Sequence, residues 1–240
     1  EVGIAEPRSF LLVGNSFMFY NNGMHSMLRR LLRAADPENS TDYRATSVTI
    51  SGSGLDWHDV ESYFRPDALA QYSFIAGHKV RFNDFERLFD IVIMMDCSQC
   101  PIHPQLQEKF HEYAAKHSAT VTKNGGRPVF FMTWAYEDTP DMTAQLADQY
   151  TIAGNANNAL VVPAGIAFAT ARSGRPKLEL YQPDRRHPSP EGTYLAALTI
   201  YASIMNKRPP ANYVPDGIDP DSATYLQNIS WEVVQEFLGG

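Results

Sequence analysis

Ser16, Asp184 and His187 form the side-chain set that acyl transfer requires. A serine hydroxyl is a poor nucleophile until an adjacent base takes its proton during attack. Histidine suits that task, because an imidazole accepts and returns a proton around neutrality. Asp184, three residues before His187, is close enough to accept the Nδ1 hydrogen, which fixes the tautomer and stabilises the imidazolium. The tetrahedral oxyanion then needs donors. The backbone N–H groups of Ser16 and Gly52 are candidates, Gly52 because a residue without Cβ lets substrate approach the backbone closely.

These residues need a scaffold that carries them to one place. Short apolar runs at Ser9–Gly14, Ala45–Ser51, Asp90–Met95, Pro128–Thr133 and Leu160–Pro163 read as strands. Helical patterns fall at Met24–Ala35, Gln105–Lys123, Pro190–Met205 and Ser222–Leu238, and Asn124-Gly125-Gly126 is a strong stop. Strands alternating with helices imply right-handed crossovers and a parallel sheet between two helical layers. The expected fold class is α/β: a three-layer α/β/α, flavodoxin-like domain with a five-stranded parallel sheet, spanning residues 1–240 as one unit. Arg208–Pro220 reads as a surface connection to the last helix.

In such a sheet ligands bind beyond the carboxyl ends of the strands. Asn15 and Ser16, the glycine turn at Ser51–Gly54, Asp96–Pro101, Trp134–Tyr136 and Asp184–Ser189 all fall on that rim. Asn15, Asp96, His58, Trp134 and Tyr136 are therefore candidate substrate contacts, with the two aromatics as platforms for a sugar ring. Each has a plainer reading. Ser16 fits a helix N-cap, Ser189 and Pro190 fit a capped helix start, Gly52 fits an ordinary turn, and Asp96 fits a structural acceptor of backbone N–H groups. His58 and His103 could equally pack, and either Trp134 or Tyr136 could belong to the core.

Taken together, the segments LLVGNSFMFYNN, TISGSGLDWH, DIVIMMDCSQCP, FFMTWAY and LYQPDRRHPSPEGTYLAA resemble the SGNH (GDSL-type) hydrolases. They are most similar to a bacterial branch with GNSF in place of GDSL and a D-x-x-H-P-S block. The blocks occur in family order across nearly all of residues 10–200. The resemblance implies Ser16 as nucleophile, Gly52 as an oxyanion donor and Asp184 with His187 as the acid–base pair. It implies ester or thioester hydrolysis through an acyl-enzyme, commonly of acetyl groups on carbohydrates or of short acyl esters, and it implies neither metal nor organic cofactor. One block departs from the family, whose third block usually supplies an asparagine donor. Ser98 stands at that position and Gln99 follows, so the two share the assignment to the oxyanion hole.

Other chemistries are poorly served. A net charge of −7 leaves no cation excess for nucleic acid or an anionic membrane surface, and no apolar run reaches the length of a membrane span. There is no G-x-S-x-G elbow and no P-loop, and Trp57 stands where a dinucleotide fingerprint needs its third glycine. His111 and His117, six residues apart, do not share a helix face as zinc ligands would, and read as solvated. Cys97 and Cys100 form C-x-x-C outside a thioredoxin-like setting, so a local disulfide or two buried thiols is expected there.

The sequence reading is thus a serine esterase acting on a small-molecule or saccharide ester. A lipase or thioesterase of the same fold, a non-catalytic carbohydrate-binding protein and a thiol oxidoreductase are its rivals. A start without methionine fits either a deliberate cut or export past a signal peptidase, so the expected location is the periplasm or outside the cell, and otherwise the cytoplasm.

Overall fold

The computed structural model describes residues 6–239. The five apolar runs form one parallel sheet: β1 (Ser9–Gly14), β2 (Arg44–Thr49), β5 (Ile91–Met94), β6 (Arg127–Phe131) and β7 (Leu160–Val162), in spatial order β2-β1-β5-β6-β7. Between β2 and β5 the chain adds an antiparallel hairpin that the sequence reading omitted, β3 (Tyr72–Ile75) and β4 (Lys79–Phe82). The helices are α1 (Ser16–Phe19), α2 (Met24–Ala35), α3 (Gln107–Lys123), α4 (Met142–Ala156), α5 (Ala164–Gly174), α6 (Pro190–Met205) and α7 (Pro220–Gly239), and the crossover from β2 to β5 carries the hairpin and short 3-10 turns in place of an α-helix. Helices cover both faces, which gives the three-layer α/β/α arrangement.

Alternation along the strands divides the core in two, since successive side chains leave opposite faces of a sheet. Phe10, Leu12, Ile91, Ile93, Val129 and Phe131 pack with α2, α5, α6 and α7. Leu11, Val13, Val92, Met94 and Phe130 pack with α3 and α4. Every residue of β1 is buried, as a strand covered on both faces requires. Among the described residues, no helix is long and apolar enough to cross a membrane.

Several expected boundaries move. β2 ends at Thr49, not Ser51, because Ile50 and Ser53 close a turn there. β5 begins one residue later than Asp90, whose carboxylate instead accepts from the N–H groups of Arg8 and Ser9 at the foot of β1. α4 and α5 went unread. The contact face of α5 is made of Ala164, Gly165, Ala167 and Ala171 around Phe168, a stripe of small residues with weak apolar contrast.

The helix that follows the D-x-x-H-P-S block is the most deeply set. Ser189 caps α6, accepting from the Gly192 N–H at 3.0 Å and donating to the Glu179 carbonyl at 2.7 Å, and Pro190 occupies the first turn. Residues Gly192–Ile204 are all buried. A Cβ at Gly192 would stand 2.2 Å from the Leu180 carbonyl oxygen, so only glycine permits this approach.

Candidate active site

β1 ends at Gly14 and the chain turns at once into α1. The N-cap of that short helix is Asn15, whose Oδ1 accepts from the Phe17 N–H at 3.1 Å. Ser16 is therefore the first helical residue and not the cap. Its own N–H lies among the first-turn donors that have no intrahelical acceptor.

Ser16 Oγ lies 2.8 Å from His187 Nε2, and His187 Nδ1 lies 2.5 Å from Asp184 Oδ2. With Nδ1–H donating to the carboxylate, Nε2 is left to accept from the serine hydroxyl. Asp184 also holds the backbone of its own loop, because Oδ1 accepts from the N–H groups of Arg186 at 2.9 Å and His187 at 3.0 Å. Burial raises the Asp184 carboxyl, but the hydrogen bonds from the imidazole and the two N–H groups outweigh it and hold it below the usual carboxylate range. Two further contacts bear on the imidazole, and sequence reasoning found neither. The Tyr20 ring stacks on it and Phe17 meets it edge-on. Asn21 donates to the Pro188 carbonyl at 3.0 Å and to Thr193 Oγ1 at 2.7 Å, tying α1 to the loop of His187.

The glycine turn joins the same rim. Ile50 N–H donates to the Gly14 carbonyl, and Ser53 N–H closes the turn onto Ile50. Gly52, at φ +74°, occupies the left-handed position of that turn, and among the described residues its N–H has no hydrogen-bond acceptor. Ser98 Oγ is 2.7 Å from the Tyr136 hydroxyl. Gln99 is exposed at the start of the turn Cys100–Ile102. Cys97 and Cys100 are joined by a disulfide that brackets Ser98 and Gln99. With Asp96 the two sulfurs form a compact group, but bonded to each other they offer no thiolate to a metal.

Four candidate substrate contacts turn inward instead. Asn15 Nδ2 donates to the carbonyls of Ser53 and Asp96, at 3.0 and 3.3 Å, so its amide is fully used as a clamp. Asp96 is buried and Oδ1 accepts from the Leu55 and Cys97 N–H groups at 3.0 and 2.7 Å. Burial raises its carboxyl to about 6. His58 is buried with Tyr63, Ser53 and the Gly14 carbonyl around it, and burial lowers its imidazole to about 4, so it is neutral there. Trp134 has no exposed surface: it stacks between Phe17 and Phe168 and donates to the Arg186 carbonyl at 2.9 Å. A strand end fixes where a residue sits, and packing decides which way its side chain leaves. Tyr136 alone of the five is part-exposed, and Arg186 lies over its ring.

Three other histidines, His103, His111 and His117, make local contacts away from Ser16. His103 Nδ1 accepts from the Gln105 N–H, and His111 pairs with Gln149. His117, expected in solvent, is buried and donates to the Leu55 carbonyl at 2.9 Å.

Solved structures share this architecture. A protein of Slackia heliotrinireducens assigned to the SGNH hydrolases superposes with a TM-score of 0.60 at 25% identity, covering 81% of this chain and 97% of its own. A DUF4886 family protein of Bacteroides uniformis gives 0.64 at 16% identity, covering 94% of this chain and 93% of its own. An acetyl-xylooligosaccharide esterase of Geobacillus gives 0.53 at 17% identity, covering 81% and 93%. No family model matches the chain, and no curated protein matches it.

Proposed function

This chain is a hydrolase of the SGNH/GDSL type, and on that premise we propose that it is a serine esterase cleaving short acyl esters, acetyl foremost, from a saccharide or similar polar alcohol. The observation that carries the reading is the relay Ser16–His187–Asp184, at 2.8 and 2.5 Å. His187 Nε2 takes the hydroxyl proton as Ser16 Oγ attacks the ester carbonyl. The oxyanion that forms is held by the N–H groups of Ser16 and Gly52, with Ser98 or Gln99 as a third donor. Collapse breaks the bond to the alcohol, which leaves with the proton from His187. Water then attacks the acyl-enzyme, His187 again acting as base and Ser16 as leaving group.

Support for the acetyl group and the sugar comes from the acetyl-xylooligosaccharide esterase among the structures of this fold. The test is labelling with a fluorophosphonate probe followed by a chain-length series of nitrophenyl esters. The wild type is expected to label, Ser16→Ala to lose both label and activity, and the rate to peak at the acetyl ester. A peak at eight carbons or more would move the assignment to a lipase or thioesterase. Absence of labelling in the wild type would favour a binding protein without catalysis.

A further inference from the structure

One face of Tyr136, expected to be open to a sugar ring, is covered by a cation. Arg186 Cζ lies 4.7 Å from the ring centroid, while the Tyr136 hydroxyl reaches Ser98 Oγ at 2.7 Å. Hydroxyl, aromatic ring and guanidinium therefore form one continuous wall from the loop after β5 to the loop of His187.

The backbone under Arg186 is fastened to the same wall. Trp134 Nε1 donates to the Arg186 carbonyl at 2.9 Å, and the Glu137 N–H donates to the Arg185 carbonyl at 3.0 Å. Arg186 is exposed, and among the described residues no carboxylate lies within 4.0 Å of its guanidinium. Two acids that meet this loop have other partners: Glu137, whose N–H bonds the Arg185 carbonyl, is paired with Arg172 at 2.8 Å, and Asp184 with His187. So a chain of net charge −7 places an unneutralised arginine immediately before its candidate base. A guanidinium lying on an aromatic ring keeps its N–H edges available, and their fork matches a carboxylate bidentately.

We propose that Arg186 is a specificity-determining residue and that the preferred substrate carries a carboxylate or similar anionic group next to the ester that is cleaved. The inference rests on the Ser16 reading above and refines it: an acylated acidic saccharide or hydroxy acid fits this wall better than a neutral one.

The experiment compares kcat/KM for 4-acetoxybenzoate and the neutral 4-acetoxybenzamide. For each variant the ratio of charged to neutral ester is taken relative to wild type, which cancels the leaving groups' intrinsic reactivity. Arg186→Gln is expected to lower that ratio about threefold, the scale of one exposed ion pair. Arg186→Lys should keep part of it and Arg186→Glu should lower it further. Salt at about 0.5 M should bring the wild-type ratio toward that of Arg186→Gln, as screening demands. Arg33→Gln, the same change of charge on the far end of α2, should leave the ratio where it was. An unmoved ratio in Arg186→Gln, or an equal fall in Arg33→Gln, overturns the proposal while hydrolysis of both esters leaves the Ser16 reading intact. Failure of the wild type to cleave either ester overturns the Ser16 reading, and this one with it.

Discussion

The ring of Tyr20 lies parallel to the imidazole of His187, with centroids 4.3 Å apart and planes 12° apart. Tyr20 sits four residues after Ser16, so the segment that presents the hydroxyl also supports the base that would deprotonate it. A π face beside an imidazole favours the cationic form that arises as Ser16 attacks, by about 1 kcal/mol. Tyr20→Leu should therefore lower kcat about fivefold with KM little changed, and Tyr20→Phe should restore most of the rate. Steady-state kinetics on a nitrophenyl acetate checks this; a loss carried entirely by KM would refute it.

Ser98 and Gln99 are distinguishable by geometry. Ser98 Oγ is fixed against the Tyr136 hydroxyl, whereas Gln99 is exposed at the loop surface. Pre-organised donors are the ones that lower a barrier, because they need no reorganisation when charge develops. Ser98→Ala should lower kcat by roughly tenfold or more, and Gln99→Ala by less than about twofold. The reverse ranking would assign the third donor to the amide.

Asp96 should leave a pH signature in stability. Burial raises its carboxyl in the folded protein from 3.8 to about 6. A carboxyl that binds its proton more tightly when folded contributes fully below the unfolded value. That contribution is lost as pH rises from about 4 through about 6. The two-unit shift corresponds to roughly 3 kcal/mol. Asp96→Asn keeps an oxygen to accept from Leu55 and Cys97 and removes the titration. Thermal unfolding from pH 4 to pH 7 should then show a falling Tm in wild type and a flatter profile in the variant. Parallel profiles would exclude Asp96 as the source.

Much of the scaffold could be read from the chain, for reasons that differ by element. β1, α2 and α6 stand within the residues expected of them, because a continuous apolar run, a strongly amphipathic run and a Ser-Pro cap are local signals. The hairpin of β3 and β4 was not legible. Its strands are only four residues long, so the alternation in Tyr72-Ser73-Phe74 and Val80-Arg81-Phe82 is too short to stand out, and Tyr72, Phe74 and Phe82 are exposed and not part of the core. At the site, the spacing of Asp184 and His187 carried the information, since a three-residue offset suffices for one carboxylate to reach both Nδ1 and two backbone N–H groups. Trp134, His58 and Asn15 illustrate the limit. They fall after the apolar runs as expected, but the partners that draw them inward, Phe168, Gly14 and Asp96, come from distant segments.

The bond from Ser16 to His187 joins residues 171 apart in sequence, and the loop of His187 is anchored by the capped start of α6. A chain emerging from the ribosome carries its hydroxyl early and its imidazole late. Throughout most of synthesis it can hydrolyse nothing, and a product ending before α6 would stay inert however well its first strands had assembled.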